Sequence, residues 1–165
     1  MKIDRQRLVF GAFLLVLISV AQISFARFEL PAWPAYLSMI FFFVEQMNEK
    51  KVPAILIGGA FGIALLFLFP PVVAVLSPLL GAELAQLAVI LALVFLIVVL
   101  GEAMPMLFNN YAFTSLTVAG VAIQTPNPNP VLWIVIIALG GGAMIAGVLG
   151  IVKGMAAMAP KQAPS

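Results

Sequence analysis

The side chains best suited to chemistry lie in one short polar stretch of an otherwise apolar chain. The stretch carries carboxylate, amide and hydroxyl groups at Glu102, Asn109, Asn110, Tyr111, Thr114, Ser115 and Thr117. On a helix, Asn110, Thr114 and Thr117 would share one face, because they stand at positions i, i+4 and i+7. Such groups exchange hydrogen bonds with a neutral solute, and Glu102 could couple to a proton only if it were buried.

Two interpretations of this polar face remain open. Polar groups in hydrocarbon usually turn toward a bundle interior or a water-filled cavity, so the face could line a solute pathway. The same amides and hydroxyls could instead join neighbouring helices, with Glu102 at the membrane surface. We predict Asn109, Asn110, Thr114 and Glu102 as solute-binding residues, with helix packing as the alternative.

Several classes of chemistry are excluded by the residues that the chain lacks. The 165 residues contain no histidine and no cysteine, which removes imidazole bases, thiol nucleophiles, disulfides and the softer metal ligands. No paired buried carboxylates are indicated, so we predict no catalytic residues, no metal site, no cofactor and no enzymatic activity. The net charge of +2 comes from residues near helix ends, which argues against a nucleic-acid partner.

The elements that must position the polar stretch are apolar helices. The chain is 64% hydrophobic and only 8% charged, so the usual division between dry core and charged surface is missing. Long apolar runs occupy residues 8–26, 52–69, 85–100 and 131–152. Runs of this length are typical of membrane spans. We therefore predict an all-α polytopic membrane helix bundle with about six transmembrane helices.

Prolines divide the chain into these helices within a single membrane domain, residues 1–165. We predict helices at 8–26, 31–47, 52–69, 83–101, 105–123 and 131–157. Proline fits a first helical turn but breaks an interior, so Pro105 should open the fifth helix and Pro70-Pro71 should stop the third. Residues 70–82 would then be a connecting segment, and 158–165 a tail.

An internal duplication is indicated, with a period of about seventy residues. Each half, 8–69 and 83–157, has a long helix, a proline-initiated helix with polar and aromatic residues, and another long helix. Aligning Trp33-Pro34 with Met104-Pro105 superposes Leu37 on Phe108, Ser38 on Asn109 and Phe42 on Phe113. With three crossings each, the halves would be inverted, an arrangement by which many transporters place a site at midplane.

The duplication adds three residues of the second helix to the candidate site. Tyr36, Ser38 and Phe42 should close the cavity opposite Asn109 and Asn110, where Phe42 would form an aromatic constriction. A membrane-interface belt or contact with lipid is the alternative explanation for the aromatic residues of this helix.

The distribution of basic residues predicts the orientation. Six crossings place seven basic residues on one side, Lys2, Arg5, Arg7, Lys50, Lys51, Lys153 and Lys161, and only Arg27 on the other. Because basic residues concentrate on the cytoplasmic side, we expect both termini there, in a bacterial inner membrane. A re-entrant second helix would weaken this bias to five against three. The first apolar run, longer than a usual signal-peptide core, is predicted to be a retained helix.

Two short motifs, Trp33-Pro34-Ala35-Tyr36-Leu37 and Met104-Pro105-Met106-Leu107-Phe108, resemble a family of small bacterial inner-membrane proteins, domain of unknown function 1097. The resemblance covers most of the chain in hydropathy and length and implies architecture, with no particular activity.

The sequence as a whole favours a small channel or facilitator for a small solute, formed where the two halves meet. The alternative is a structural or accessory membrane subunit without transport activity. Glycine pairs such as Gly58 with Gly62 and Gly150 with Gly154 allow helices to approach closely, so we also expect a homo-oligomer in the lipid bilayer.

Overall fold

The computed structural model describes residues 4–158, and these residues fold as an all-α bundle. The α-helices are α1 (Arg5–Arg27), α2 (Trp33–Val44), α3 (Val52–Ala64), α4 (Phe69–Leu80), α5 (Ala82–Leu100), α6 (Asn110–Ala122), α7 (Pro130–Val135) and α8 (Gly141–Met158). Short 3-10 turns occupy Glu49–Lys51 and Leu65–Leu68, and a π-helical segment, Ile136–Gly140, joins α7 to α8. The predicted helical fold class is confirmed.

Four continuous helical runs have the length and apolarity of membrane spans: Arg5–Arg27, Glu49–Leu80, Ala82–Leu100 and Pro130–Met158. The helices α2 and α6 are shorter, with 12 and 13 residues. At about 1.5 Å per residue they extend roughly 20 Å, less than the ~30 Å of a bilayer core. The bundle thus combines four long helices with two short ones.

The predicted helix stop at Pro70-Pro71 is wrong. The chain tightens into a 3-10 turn at Leu65–Leu68 and then continues as α4. The two prolines lie in the first turn of α4, where the proline ring fits and a missing N–H removes no α-helical hydrogen bond. Residues 70–82, predicted as a connection, are therefore mostly helical, and the chain reverses at Gly81, whose φ is +80°.

Two predicted helix boundaries also shift inward. The fifth predicted helix was expected to begin at Pro105, but α6 begins at Asn110 because the extended backbone and side chain of Asn109 form its N-cap. The second predicted helix was expected to reach residue 47, but α2 ends at Val44. Gln46 and Met47 there have positive φ angles of 54° and 59°, which a helix cannot contain.

Each short helix packs mainly on a long helix from the other half of the sequence. The helix α2 lies against the π segment and α8, while α6 lies against α3. Small residues permit both close approaches. A Cβ on Gly62 of α3 would collide with the backbone carbonyl of Ala112, and one on Gly140 would lie 3.3 Å from Cβ of Ala35.

The short helices run antiparallel to each other. At one end, Tyr111 at the start of α6 bonds to Glu45, which directly follows α2. At the other end, Trp33, the first residue of α2, joins the same apolar cluster as Ala122, the last residue of α6.

The long helices on which they pack are also antiparallel. Glu49, just before α3, pairs with Lys153 near the end of α8 at 3.0 Å. Near the opposite end of α3, Ile63 shares an apolar cluster with Trp133 of α7.

The burial patterns of α2 and α6 correspond at an offset of 77 residues. Ala35 and Ala112 are both buried, and so are Ser38 and Ser115. The alignment made at the prolines had instead paired Ser38 with Asn109. The burial match between α2 and α6 therefore differs by six residues from the register that the proline motifs indicate.

Candidate functional site

Asn109, a predicted site residue, serves as the N-cap of α6. Its Oδ1 accepts a hydrogen bond of 3.0 Å from the backbone N–H of Ala112. Its amide NH₂ donates to the carbonyl oxygens of Pro105 at 2.9 Å and Met106 at 3.2 Å. The side chain lies over Gly58 of α3, where any Cβ would collide with it. These contacts fix the start of α6 against α3.

The three other predicted residues of the polar stretch lie nearer the surface. Glu102 and Asn110 are exposed, while Thr114 is half-buried. The Thr114 hydroxyl donates to the carbonyl oxygen of Asn110 at 2.8 Å, one turn earlier in α6. Asn110 and Thr114 therefore share a face of α6, as their spacing predicted, and the amide of Asn110 is accessible there.

The predicted residues of α2 have three different surroundings. Tyr36 is half-buried and donates its hydroxyl hydrogen to Oε1 of Gln22 in α1 at 2.9 Å. Phe42 is fully buried in an apolar cluster to which α1, α2, α3, the start of α6, the π segment and α8 all contribute. Ser38 is fully buried against the π segment and Gly141. The Tyr36 hydroxyl thus bonds toward α1, whereas the Asn109 side chain lies against α3.

Two buried serines form the polar centre of the bundle. Among residues 4–158, Ser38 and Ser115 are the only buried side chains with a polar group besides the aromatic Tyr111 and Trp133. The Ser38 hydroxyl lies 3.3 Å from the carbonyl oxygen of Pro34 and 3.4 Å from that of Ile137. The Ser115 hydroxyl is buried without a hydrogen-bond partner in the described part of the chain. An unmet buried hydroxyl costs about 1–3 kcal/mol of folding free energy.

Ile137 contacts the surroundings of both serines. Its carbonyl oxygen faces Ser38, and its Cδ1 occupies the space above Gly59 of α3. A Cβ added to Gly59 would lie 2.7 Å from that Cδ1 and 3.4 Å from the Ser115 hydroxyl oxygen. The isoleucine side chain and the Ser115 hydroxyl are therefore neighbours at the same glycine. We call Ser38, Ser115, Gly59 and Ile137 the central serine site.

The π-helical segment contributes directly to this site. Ile137 belongs to Ile136–Gly140, where the backbone departs from α-helical hydrogen bonding before α8 resumes at Gly141. π-helical turns are rare and frequently mark functional positions. Sequence reasoning missed Ser115 and Ile137 as site residues. The usable signal was the shared serine 77 positions apart on two short helices.

The two ends of the bundle differ in chemistry. The end that we call the basic end carries Lys50, Lys51 and Lys153, and Arg5 and Arg7 line a groove there with Met47 and Val152. At this end the Tyr111 hydroxyl, near the start of α6, donates a hydrogen bond of 2.6 Å to Oε1 of Glu45, which directly follows α2. Tyr111 also packs on Phe41, with ring centroids 5.2 Å apart.

The opposite, tryptophan end is closed by Trp33 and Trp133. Their rings meet edge to face with centroids 5.4 Å apart. A bowl of about 590 Å³ opens above them; among its lining residues are Glu29, Thr125, Asn127 and Asn129. The central serine site therefore lies in a bundle with an aromatic contact at each end.

The described residues contain no group of three or more acidic side chains that could hold a metal ion. Comparison of the chain with models of protein families, with curated proteins and with solved structures finds no match.

Proposed function

We propose that the chain is an integral membrane protein of two inverted three-helix halves that conducts a small solute between α2 and α6. The halves are α1 to α3 and α5 to α8, with α4 as an extension of the first. One observation carries the proposal: the short helices exchange partners between halves, so that Ser38 and Ser115 come to equivalent buried positions. Transporters with inverted repeats build midplane sites from such halves.

The predicted residues of α6 fit this proposal as the lining of an entrance. Asn110 is exposed and Thr114 half-buried on one face of α6, next to the Tyr111 contact with Glu45 at the basic end. Amide and hydroxyl groups there can replace part of a solute's hydration as it leaves water. Asn109 holds α6 in place, and Glu102 lies at the surface.

The proposed orientation has the basic end in the cytoplasm of a bacterium. Lys50, Lys51 and Lys153 lie at this end. Arg27 is the last residue of α1, at the end of that helix nearer the tryptophan end. Basic residues concentrate on the cytoplasmic side of inner-membrane proteins. Lys2 and Lys161, which the sequence also assigned to this side, lie outside the described residues. Membership of the domain of unknown function 1097 family is part of the same proposal.

Flux through the purified protein in proteoliposomes tests the function. The probes are water, glycerol and urea as neutral solutes and formate and acetate as anions, followed by stopped-flow light scattering. We expect one or more probes to cross faster than in protein-free vesicles. If proteoliposomes and protein-free vesicles show the same flux for every probe, a conducting function for these solutes is contradicted.

A second candidate, an accessory subunit, is favoured by the hairpin of α4 and α5. Only Ala85, Val89, Leu93 and Ile97 of α5 are buried, and α4 has no buried residue, although both helices are predominantly apolar. Such surfaces meet lipid or a partner helix. Co-purification of one stoichiometric membrane partner, together with absent flux, would favour this function over conduction.

Assembly into a homo-oligomer is a further part of the proposal. Gly58 and Gly62 are already used within the chain, whereas a Cβ placed on Gly150 or Gly154 of α8 would meet no other part of residues 4–158 within 4 Å. This free glycine pair can accept another helix at close distance. Native mass spectrometry in mild detergent should give a closed multimer, and a monomer across several detergents would oppose it.

A further inference from the structure

We infer that the conducted solute is a small neutral molecule that binds Ser115 and Ser38, and that the Ile137 side chain blocks this site until it moves aside. The inference rests on the proposed function and adds the solute's chemical class and the blocking residue.

Charge is the first argument for a neutral solute. Every Asp, Glu, Lys and Arg side chain among residues 4–158 is exposed, except the half-buried Glu45. Apart from the Tyr111 hydroxyl, which is bonded to Glu45, and the indole of Trp133, the buried side chains of the same residues carry polar groups only at the two serines. A hydroxyl pair cannot replace the hydration shell of an ion, so a charged solute would meet a large desolvation cost.

Ser115 supplies a hydroxyl that is free to bind. Its helix neighbours Thr114 and Thr117 donate to carbonyl oxygens four residues earlier, at 2.8 and 2.9 Å, and Ser38 also lies within reach of such a carbonyl. Ser115 alone of these four has no partner. A solute can therefore bind to Ser115 without breaking a hydrogen bond within the protein, which makes its entry less costly.

Ile137 and Gly59 set the size of the solute. The Cδ1 of Ile137 fills the space that a side chain at position 59 would occupy, beside the Ser115 hydroxyl. Withdrawal of one isoleucine side chain opens room for a few heavy atoms only. Because Ile137 lies in the π segment, a change of that segment toward α-helical bonding would turn its side chain. The site thus suits molecules of the size of water, formamide or urea.

The first test is Ser115→Ala in proteoliposomes, with formamide and urea as probes. We expect flux to fall about tenfold, which corresponds to about 1.4 kcal/mol of barrier. The melting temperature should stay equal or rise, because the substitution removes an unmet buried hydroxyl. Ser77→Ala is the matched control, since Ser77 is a helical serine in α4 bonded to Val73 at 2.7 Å; its flux should equal that of the wild type.

The second test changes the blocking residue. Ile137→Ala should raise urea flux and admit glycerol or larger polyols, whereas Gly59→Ala should lower flux by fixing the isoleucine in a tighter space. Ile137→Ala keeps the inference testable if the glycine variant fails to fold.

The outcomes separate the inference from the proposed function. A wild-type protein that conducts no probe contradicts the proposed function. Normal flux in both Ser115→Ala and Ile137→Ala contradicts the inference alone. So does a wild-type protein that conducts formate or acetate as fast as it conducts urea. Lower stability of Ser115→Ala with normal flux per folded protein would show that the serine is structural.

Discussion

The hydroxyl of Tyr111 donates a 2.6 Å hydrogen bond to Oε1 of Glu45, which ties the start of α6 to the end of α2. The two residues are 66 positions apart and belong to different halves of the chain. Tyr111 is buried and Glu45 half-buried, so water competes only in part for this bond. The contact holds the two short helices together at the basic end.

Loss of this hydrogen bond should destabilise the bundle. We expect Tyr111→Phe to lower the free energy of unfolding by about 1–3 kcal/mol, because the Glu45 carboxyl then loses its partner in a partly buried place. Thermal unfolding in detergent measures the change. The double variant Tyr111→Phe with Glu45→Ala should be destabilised by less than the sum of the two single changes, because each single change already removes the bond. Fully additive effects would mean that the bond contributes nothing.

The approach of α3 to α6 depends on Gly62. A Cβ at this position would collide with the backbone carbonyl of Ala112, which cannot move as a side chain can. Gly62→Ala should therefore destabilise the protein by about 1–3 kcal/mol through overpacking. Gly120→Ala in α6 is the matched control, since open space surrounds that glycine. The control should be neutral or stabilising by up to about 1 kcal/mol. Equal stability of the two variants would contradict the contact.

Substitutions at the adjacent residues Asn109 and Asn110 should have different effects, with the first lowering stability and the second lowering flux. Asn109→Ala removes the N-cap of α6 and should cost about 0.5–2 kcal/mol of stability. Asn110→Leu changes an exposed amide at similar volume, so we expect normal expression and unfolding but strongly reduced flux. Flux assays and melting curves on both variants decide the matter. Reduced stability with normal flux in Asn110→Leu would assign that residue to packing.

Orientation can be measured cleanly because the chain has no cysteine. Lys50→Cys lies at the basic end, and Thr125→Cys lies in the bowl at the tryptophan end. In intact cells with a permeable outer membrane, an impermeant thiol reagent should label Thr125→Cys and spare Lys50→Cys until the inner membrane is opened. The reverse pattern would overturn the proposed topology, and labelling of both positions from outside would exclude six crossings.

The alternation of apolar runs with prolines was enough to predict most helices. Residues 8–26 and 85–100 are predominantly apolar, and a helix satisfies the backbone groups of such a segment internally. The common face of Asn110 and Thr114 also followed from helical spacing. The prediction at Pro70-Pro71 is wrong because the local preferences of proline are compatible both with the end of one helix and with the first turn of the next. Only the continuation through Leu65–Leu68 decides between the two.

The sequence by itself determined the long apolar helices, two proline-initiated helices with polar and aromatic residues, and a set of side chains that contains no histidine or cysteine. The short length of α6 came only from the structure, in which the helix begins at Asn110 and not at Pro105. The tertiary structure decided which residues meet. Gly62 against Ala112 and Gly140 against Ala35 are contacts between segments that lie far apart in the chain. Within residues 4–158 the buried Ser115 hydroxyl has no hydrogen-bond partner, and it lies near Gly59, which is distant in sequence. Local propensity cannot encode such contacts, since they depend on how helices far apart in the chain pack together.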